Sequence, residues 1–294
     1  MKVAIMNKKI LYTLIAALFG CVACTTEVPV TGEHPLDVEV PGVADTGITK
    51  IVYCNLKDSR STLDLEAYAS YVREVDADIL FMLSDPTIGS PAKKAEVWAE
   101  TTLKDLYPNL RFNSISRAGT CIVVLSKESM DTYGTVSVSA LTNHFYFTLG
   151  EFGYVFADLG KSLSPDDRVE EVRAMYSATV GVDIDKDKWI YVLGANVGSY
   201  ADVLKYASSL PESIKSTLSE SSSAVHTWLS KQKMVDCVGT QCSVYTPSCS
   251  DGSRREFVYV TPAVWHDMTP IIIDTTKPYG STHYPISVTI KNEE

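Results

Sequence analysis

The sequence lacks any apolar run of the roughly twenty residues that a membrane-spanning helix needs. Its N-terminal run, Ile10 to Gly20, is shorter, follows Lys2, Lys8 and Lys9, and has the length and charge order of a secretory signal. Basic residues are also in short supply, 26 Lys and Arg against 36 Asp and Glu, for a formal net charge of −10. A protein that grips a nucleic-acid backbone needs a cationic footprint, so this balance argues against nucleic acid as a partner. Histidine is sparse, and His34, His144, His226 and His266 are scattered without a nucleophile or metal-ligand spacing. No G-x-S-x-G elbow, P-loop or HExxH motif occurs.

What is present organises into three stretches. Residues 1–20 read as a signal peptide and residues 21–47, rich in Pro, Gly and Thr, as a tether. Residues 48–292, with 45% hydrophobic residues in the whole chain, suit a large core. Leu18, Phe19, Gly20, Cys21 has the form of a bacterial lipobox, with Cys21 preferred to Cys24 as the acylated residue; the competing reading is an ordinary signal peptide with two incidental cysteines. Acylation predicts a lipoprotein of the bacterial cell envelope, anchored to a membrane and facing the periplasm or exterior. Of the other cysteines, Cys54 and Cys121 lie in apolar runs and are expected as buried small side chains. Cys237, Cys242 and Cys249 crowd one polar loop, where export makes a disulfide possible.

Along the chain, strand and helix patterns alternate. Ile48 to Leu56, Ala77 to Leu83, Gly119 to Lys127, Gly153 to Leu159, Trp189 to Leu193, Arg255 to Thr261 and Ile286 to Ile290 read as strands. The near-continuous apolar character of Ala77 to Leu83 predicts a sheet covered on both faces. Val136 to Thr148 alternates enough for a strand pair. Helices are predicted over Leu63 to Asp76 and Lys93 to Leu106, after the Ser164-Pro165-Asp166-Asp167 start, after Ser199, and over Ala224 to Gln232.

Several strand ends carry polar residues in a familiar order. Tyr53-Cys54-Asn55-Leu56, Met82-Leu83-Ser84, Gly119 to Lys127, Gly153 to Leu159, Gly194-Ala195-Asn196-Val197, Arg255 to Thr261 and Ser281-Thr282-His283-Tyr284-Pro285 together resemble the endonuclease/exonuclease/phosphatase superfamily. The resemblance implies an α/β fold, a four-layered sandwich of two face-to-face mixed β-sheets flanked by helices. It implies a strand-end site at which magnesium, held by carboxylates, assists phosphoester hydrolysis. His283, Asn196 and Asn55 retain family positions, Glu256 replaces an aspartate, and Asp158 stands at a histidine position. Alone, Asn55 could equally start a turn, and Asp158 could equally be an exposed strand-end residue. Three carboxylate positions hold Ser84, Ala195 and Thr282, with Asp85 the candidate substitute for the first.

Two functions follow as expectations. In the first, the chain is a non-catalytic descendant, with no cofactor, whose cleft binds a small molecule or protein partner. In the second, it is a divalent-metal-dependent phosphoester hydrolase that has moved its magnesium ligands to Asp85, Glu256 or Asp158 and keeps His283 as acid or base. A docking or scaffold lipoprotein is a third reading, weakly favoured by the 16 tyrosines.

Overall fold

A computed structural model describes residues 47–291, apart from residues 60, 137–138, 140, 182–186, 270 and 277–278. The expected signal peptide, the tether with His34, and Cys21 lie outside the described residues. Among the described residues no helix is long and apolar enough to cross a membrane.

In chain order, β1 (Ile48–Asn55) leads through α1 (Leu65–Val75) to β2 (Ile79–Ser84). A short hairpin of β3 (Thr87–Ile88) and β4 (Lys93–Lys94) precedes α2 (Ala95–Leu103), and then come β5 (Asn109–Ile115) and β6 (Thr120–Ser126). The second half runs β7 (Tyr133–Gly134), β8 (Asn143–Leu149), β9 (Phe152–Asp158), α3 (Pro165–Gly181) and β10 (Trp189–Gly194). Three short helices follow, α4 (Tyr200–Lys205), α5 (Glu212–Lys215) and α6 (Ala224–Lys231), then β11 (Val235–Asp236) and α7 (Cys237–Gln241). The chain closes with β12 (Glu256–Val260), α8 (Pro262–Trp265), β13 (Ile272–Ile273) and β14 (Ile286–Lys291).

The strands form two mixed sheets, ordered β13-β14-β1-β2-β6-β5 and β11-β12-β10-β9-β8-β7. Each contains one parallel pair joined by a helix, β1 with β2 and β9 with β10, and its other pairings are antiparallel. The pleat sorts the side chains. Ile51, Tyr53, Phe81 and Val124 from the first sheet meet Phe147, Phe156, Val192 and Val258 from the second. Phe81 and Phe156 rings lie 5.0 Å apart, and each such buried side chain contributes roughly 1.5–3 kcal/mol. The opposite faces are covered by helices: Val52, Leu80 and Met82 pack on Tyr68, Val72 and Trp98, while Val155, Tyr191 and Phe257 pack on Val172, Met175 and Leu229. Both faces of both sheets are therefore dry, which is why β2, β6, β9 and β10 are buried at every position. The four-layered sandwich expected from the sequence is the fold.

The Ser164 start behaves as the sequence predicts: Ser164 and Asp167 form a reciprocal cap before α3. At the start of α1, Asp64 accepts from the amides of Glu66 and Ala67. Two strand readings need correction. Among the described residues of Val136 to Thr148 there is a single strand, β8, which pairs with β9 and, through Tyr146 and Phe147, with the two residues of β7. β5, unmarked in the sequence reading, is an edge strand; its side chains are half-buried or exposed, so it lacks a clear apolar period.

Candidate functional site

Parallel strands deliver their carboxyl ends to the same edge of each sheet, and β1, β2, β9 and β10 all end in the region where the predicted site residues were placed. In the second sheet, register sets the geometry. Gly194 is paired with Asp158 on one side and Glu256 on the other, so the three residues form one row across three adjacent strands. Glycine leaves the middle of that row empty of side chain: a Cβ on Gly194 would lie 3.1 Å from Asp158 Oδ1 and 3.5 Å from the Tyr53 hydroxyl.

Both flanking carboxylates are buried, Asp158 at 2% and Glu256 at 1% exposure. Asp158 is therefore not an exposed strand-end residue. Lys57, on the loop after β1, donates its ammonium to Asp158 Oδ2 at 2.8 Å, and Asn196 donates to Oδ1 at 2.9 Å. Burial raises the Asp158 pKa, with the lysine opposing the shift. Asn196 sits in the left-handed region at φ 55°, a conformation asparagine tolerates, and its amide also donates to the Leu159 carbonyl at 2.5 Å.

Glu256 receives the other half of the site. Its Oε1 lies 2.6 Å from His283 Nδ1 and accepts from the Asn55 amide at 3.1 Å. Its Oε2 accepts from the Ser248 hydroxyl and, at 3.1 Å, from the Cys249 thiol. Burial would raise the Glu256 pKa, but His283, Ser248 and Cys249 outweigh it and hold the carboxyl at about 2. Burial likewise works against charge on His283, yet Glu256 pushes its imidazole up to about 10. At neutral pH the two form an ion pair.

Asn55 both starts a turn and joins the cluster. Its Oδ1 accepts from the Lys57 backbone amide at 3.0 Å, a local turn, while its Nδ2 reaches Glu256 across the inter-sheet gap. Asn55, Asp158, Asn196, Glu256 and His283 are thus brought together. Ser84, Ala195 and Thr282 are not part of the cluster. Ser84 lies one residue past Leu83, the partner of Asn55, and so falls on the helix-covered face opposite Cys121; its hydroxyl donates to the Asp85 carbonyl. Ala195 is packed in the outer core, so the inward-facing residue of that turn is Gly194. Thr282 is exposed, with its amide donating to Ser59. Asp85 is half-buried at the end of β2.

Lys57, Ser248 and Cys249 escaped the sequence reading of the site, as did Arg254 in a separate buried network. Lys57 follows Asn55 by two residues, a spacing with no motif value. Cys249 was grouped with Cys237 and Cys242, but all three are buried cysteines outside any disulfide, which corrects the suggested bridge. Arg254, not Arg255, is the buried arginine before β12; it makes paired bonds of 2.7 to 3.0 Å to Asp202 and Asp236. His144 and His226 are buried structural residues, and Cys54 and Cys121 are buried as expected.

Magnesium, the ion implied by the family resemblance, does not fit this donor set. It needs free anionic oxygens in octahedral array and keeps several waters. Here Lys57 and Asn196 take the oxygens of Asp158, and four donors take those of Glu256. A cavity of about 710 Å³, lined by residues such as Lys205, His226 and Lys233, opens elsewhere, and no cluster residue lines it.

No protein-family model matches the sequence, and no curated protein matches it. Solved structures do. An AP endonuclease from Archaeoglobus fulgidus superimposes with a TM-score of 0.61 at 15% identity, covering 82% of this chain and 99% of that one. The chain has the endonuclease/exonuclease/phosphatase fold. A 3'-5' exonuclease from Neisseria meningitidis gives 0.62 at 12% identity, covering 83% of this chain and 100% of that one. An endonuclease/exonuclease/phosphatase protein from Beutenbergia cavernae gives 0.56 at 13%, covering 84% and 72%. The superfamily fold explains why the polar strand ends of two sheets meet in one place: the two parallel pairs open toward the same edge of the sandwich.

Proposed function

We propose that this chain is a binding protein built on a hydrolase fold, exported and anchored through acylated Cys21 to the bacterial cell envelope. Its strand-end site recognises a polar small molecule or a protein partner and does not hydrolyse phosphoesters with magnesium. The observation that carries this reading is the Lys57 ammonium seated on Asp158, 2.8 Å away and nearly buried. A fixed internal cation already neutralises the carboxylate that a metal would need, and His283 neutralises the other. Without an anionic cradle, several kcal/mol of electrostatic stabilisation of a phosphoryl transition state is missing.

The test is a hydrolysis assay of the purified protein with magnesium or manganese and two generic substrates, a phosphodiester and a phosphomonoester of 4-nitrophenol. No turnover above buffer is expected. Metal-dependent turnover that disappears in His283→Ala would instead establish the hydrolase with relocated ligands. For the anchor, metabolic labelling with a radioactive fatty acid is expected to mark the wild-type chain and not Cys21→Ser; equal labelling would refute it.

A further inference from the structure

One cluster has the composition of a different kind of metal site. Cys249, Glu256 and His283 come from three segments: the loop before β12, the first residue of β12, and the loop before β14. Their donor atoms lie 3.1 Å (Sγ to Oε2), 3.5 Å (Sγ to Nδ1) and 2.6 Å (Nδ1 to Oε1) apart. All three residues are buried. We propose that this trio binds zinc, or another borderline-soft divalent ion, with one coordination position left for water or ligand.

The donor chemistry selects the ion. A thiolate, an imidazole and a carboxylate suit zinc and not magnesium or calcium, which prefer oxygen alone. With bonds of about 2.3 Å to sulfur and 2.0–2.2 Å to nitrogen and oxygen, a tetrahedral ion sets its ligands about 3.4–3.6 Å apart. The sulfur–nitrogen distance already has that value. The two distances to Glu256 involve different oxygens, so binding requires its carboxylate to turn and present one oxygen to both partners, opening each distance by less than about 1 Å.

The backbone under the trio is fixed. Cys249 and His283 face each other in an antiparallel bridge. On either side of it the Tyr284 amide donates to the Ser248 carbonyl at 2.8 Å and the Ser250 amide to the Thr282 carbonyl at 2.9 Å. The Ser248 hydroxyl accepts from the amides of Arg255 and Glu256 while donating to Glu256, and Asn55 holds the other carboxylate oxygen. Such surrounding bonds orient metal ligands.

A nucleophilic cysteine triad is the other chemistry that these residue types suggest, and the geometry speaks against it. In a triad the imidazole uses one nitrogen for the nucleophile and the other for the acid. Here the thiol and the carboxylate both approach Nδ1. The Asn55 amide nitrogen lies 3.3 Å from the same atom; the two ligating groups, thiol and carboxylate, converging on one imidazole nitrogen describe the corner of a polyhedron around an ion that replaces the proton now shared there. On binding, the thiol and the imidazolium Nδ1 each release a proton to solvent.

The experiment uses the full chain, stripped with a chelator and titrated with cobalt(II) as a spectroscopic stand-in for zinc. One equivalent is expected to produce thiolate-to-cobalt charge-transfer absorption in the near ultraviolet with the strong visible bands of a tetrahedral ion, and zinc is expected to abolish both. Cys249→Ser should lose the charge-transfer band and bind zinc at least tenfold more weakly, whereas Cys242→Ser should keep both. Absence of the band in the wild-type protein overturns the proposal without any variant being needed. A band that survives Cys249→Ser in folded protein, as judged by near-ultraviolet circular dichroism, overturns it as well. Because the readout is binding and not turnover, its failure leaves the proposed loss of magnesium-dependent hydrolysis untouched.

Discussion

Replacing Lys57 with methionine tests whether the internal ammonium neutralises the site. The substitution keeps most of the side-chain length and removes the charge, leaving Asp158 with the Asn196 amide as its remaining donor at 2.9 Å. Breaking a buried pair from one side costs about 3–5 kcal/mol because the remaining charge is stranded. Asp158, whose pKa burial already raises against the opposition of Lys57, will limit that cost by taking up a proton. We therefore expect a loss of about 3 kcal/mol at pH 7, or on the order of 10 °C in Tm for a domain of this size. The sign with pH follows: a carboxyl whose folded pKa is raised is penalised above its unfolded pKa, so the defect in Lys57→Met shrinks as pH falls. Asp158→Asn, which strands the lysine, should cost a similar amount. The double variant, with neither charge, should lie within about 1 kcal/mol of wild type, since removing both partners of a buried pair is often nearly neutral. Urea denaturation of all four proteins gives the coupling energy. If the double variant loses the sum of the single losses, or Lys57→Met loses less than about 0.5 kcal/mol, a range typical of neutral surface changes, the lysine is not neutralising a buried carboxylate.

Three further outcomes are expected. Arg254→Met strands the carboxylates of Asp202 and Asp236 and should cost about 3–5 kcal/mol, measured by urea midpoint; a change under about 1 kcal/mol would refute a structural role for this network. His226 and His144 are buried with pKa values lowered to about 4 from 6.5, so the unfolded chain protonates first. Stability should be full above about pH 6.5 and fall toward pH 4, by about 2 kcal/mol per histidine at pH 5; a flat urea midpoint between pH 7 and 5 would contradict this. Gly280 has φ 78° and approaches the Thr62 carbonyl closely, so Gly280→Ala should lose about 2–4 kcal/mol through strain and overlap, and an unchanged Tm would refute that.

Much of the fold was legible because its signals are local. Wholly apolar strands reported sheets covered on both sides, and the Ser164 to Asp167 start reported a helix that its own side chains cap. β5 was illegible for the converse reason: at a sheet edge Phe112 is 50% exposed, so burial imposes no period on the residues. The site was legible in part. Asn55, Asp158, Asn196, Glu256 and His283 each terminate or flank a strand, and the family order assembled them. Ser84 and Ala195 stand outside the cluster because one residue of register turns a side chain to the other face of a sheet. Reading strand-end motifs one at a time cannot detect that shift.

The sequence by itself determined the layering, the boundaries of most elements and the residue types available at the strand ends, since these depend on hydrophobic period, capping and backbone preference over a few positions. Only the tertiary structure decided which charges meet. Lys57 reaches Asp158 across 101 positions and Cys249 reaches His283 across 34. An ion pair or a metal corner depends on a distance of a few ångströms through space, and that distance is set by sheet register and by the packing of one sheet on the other.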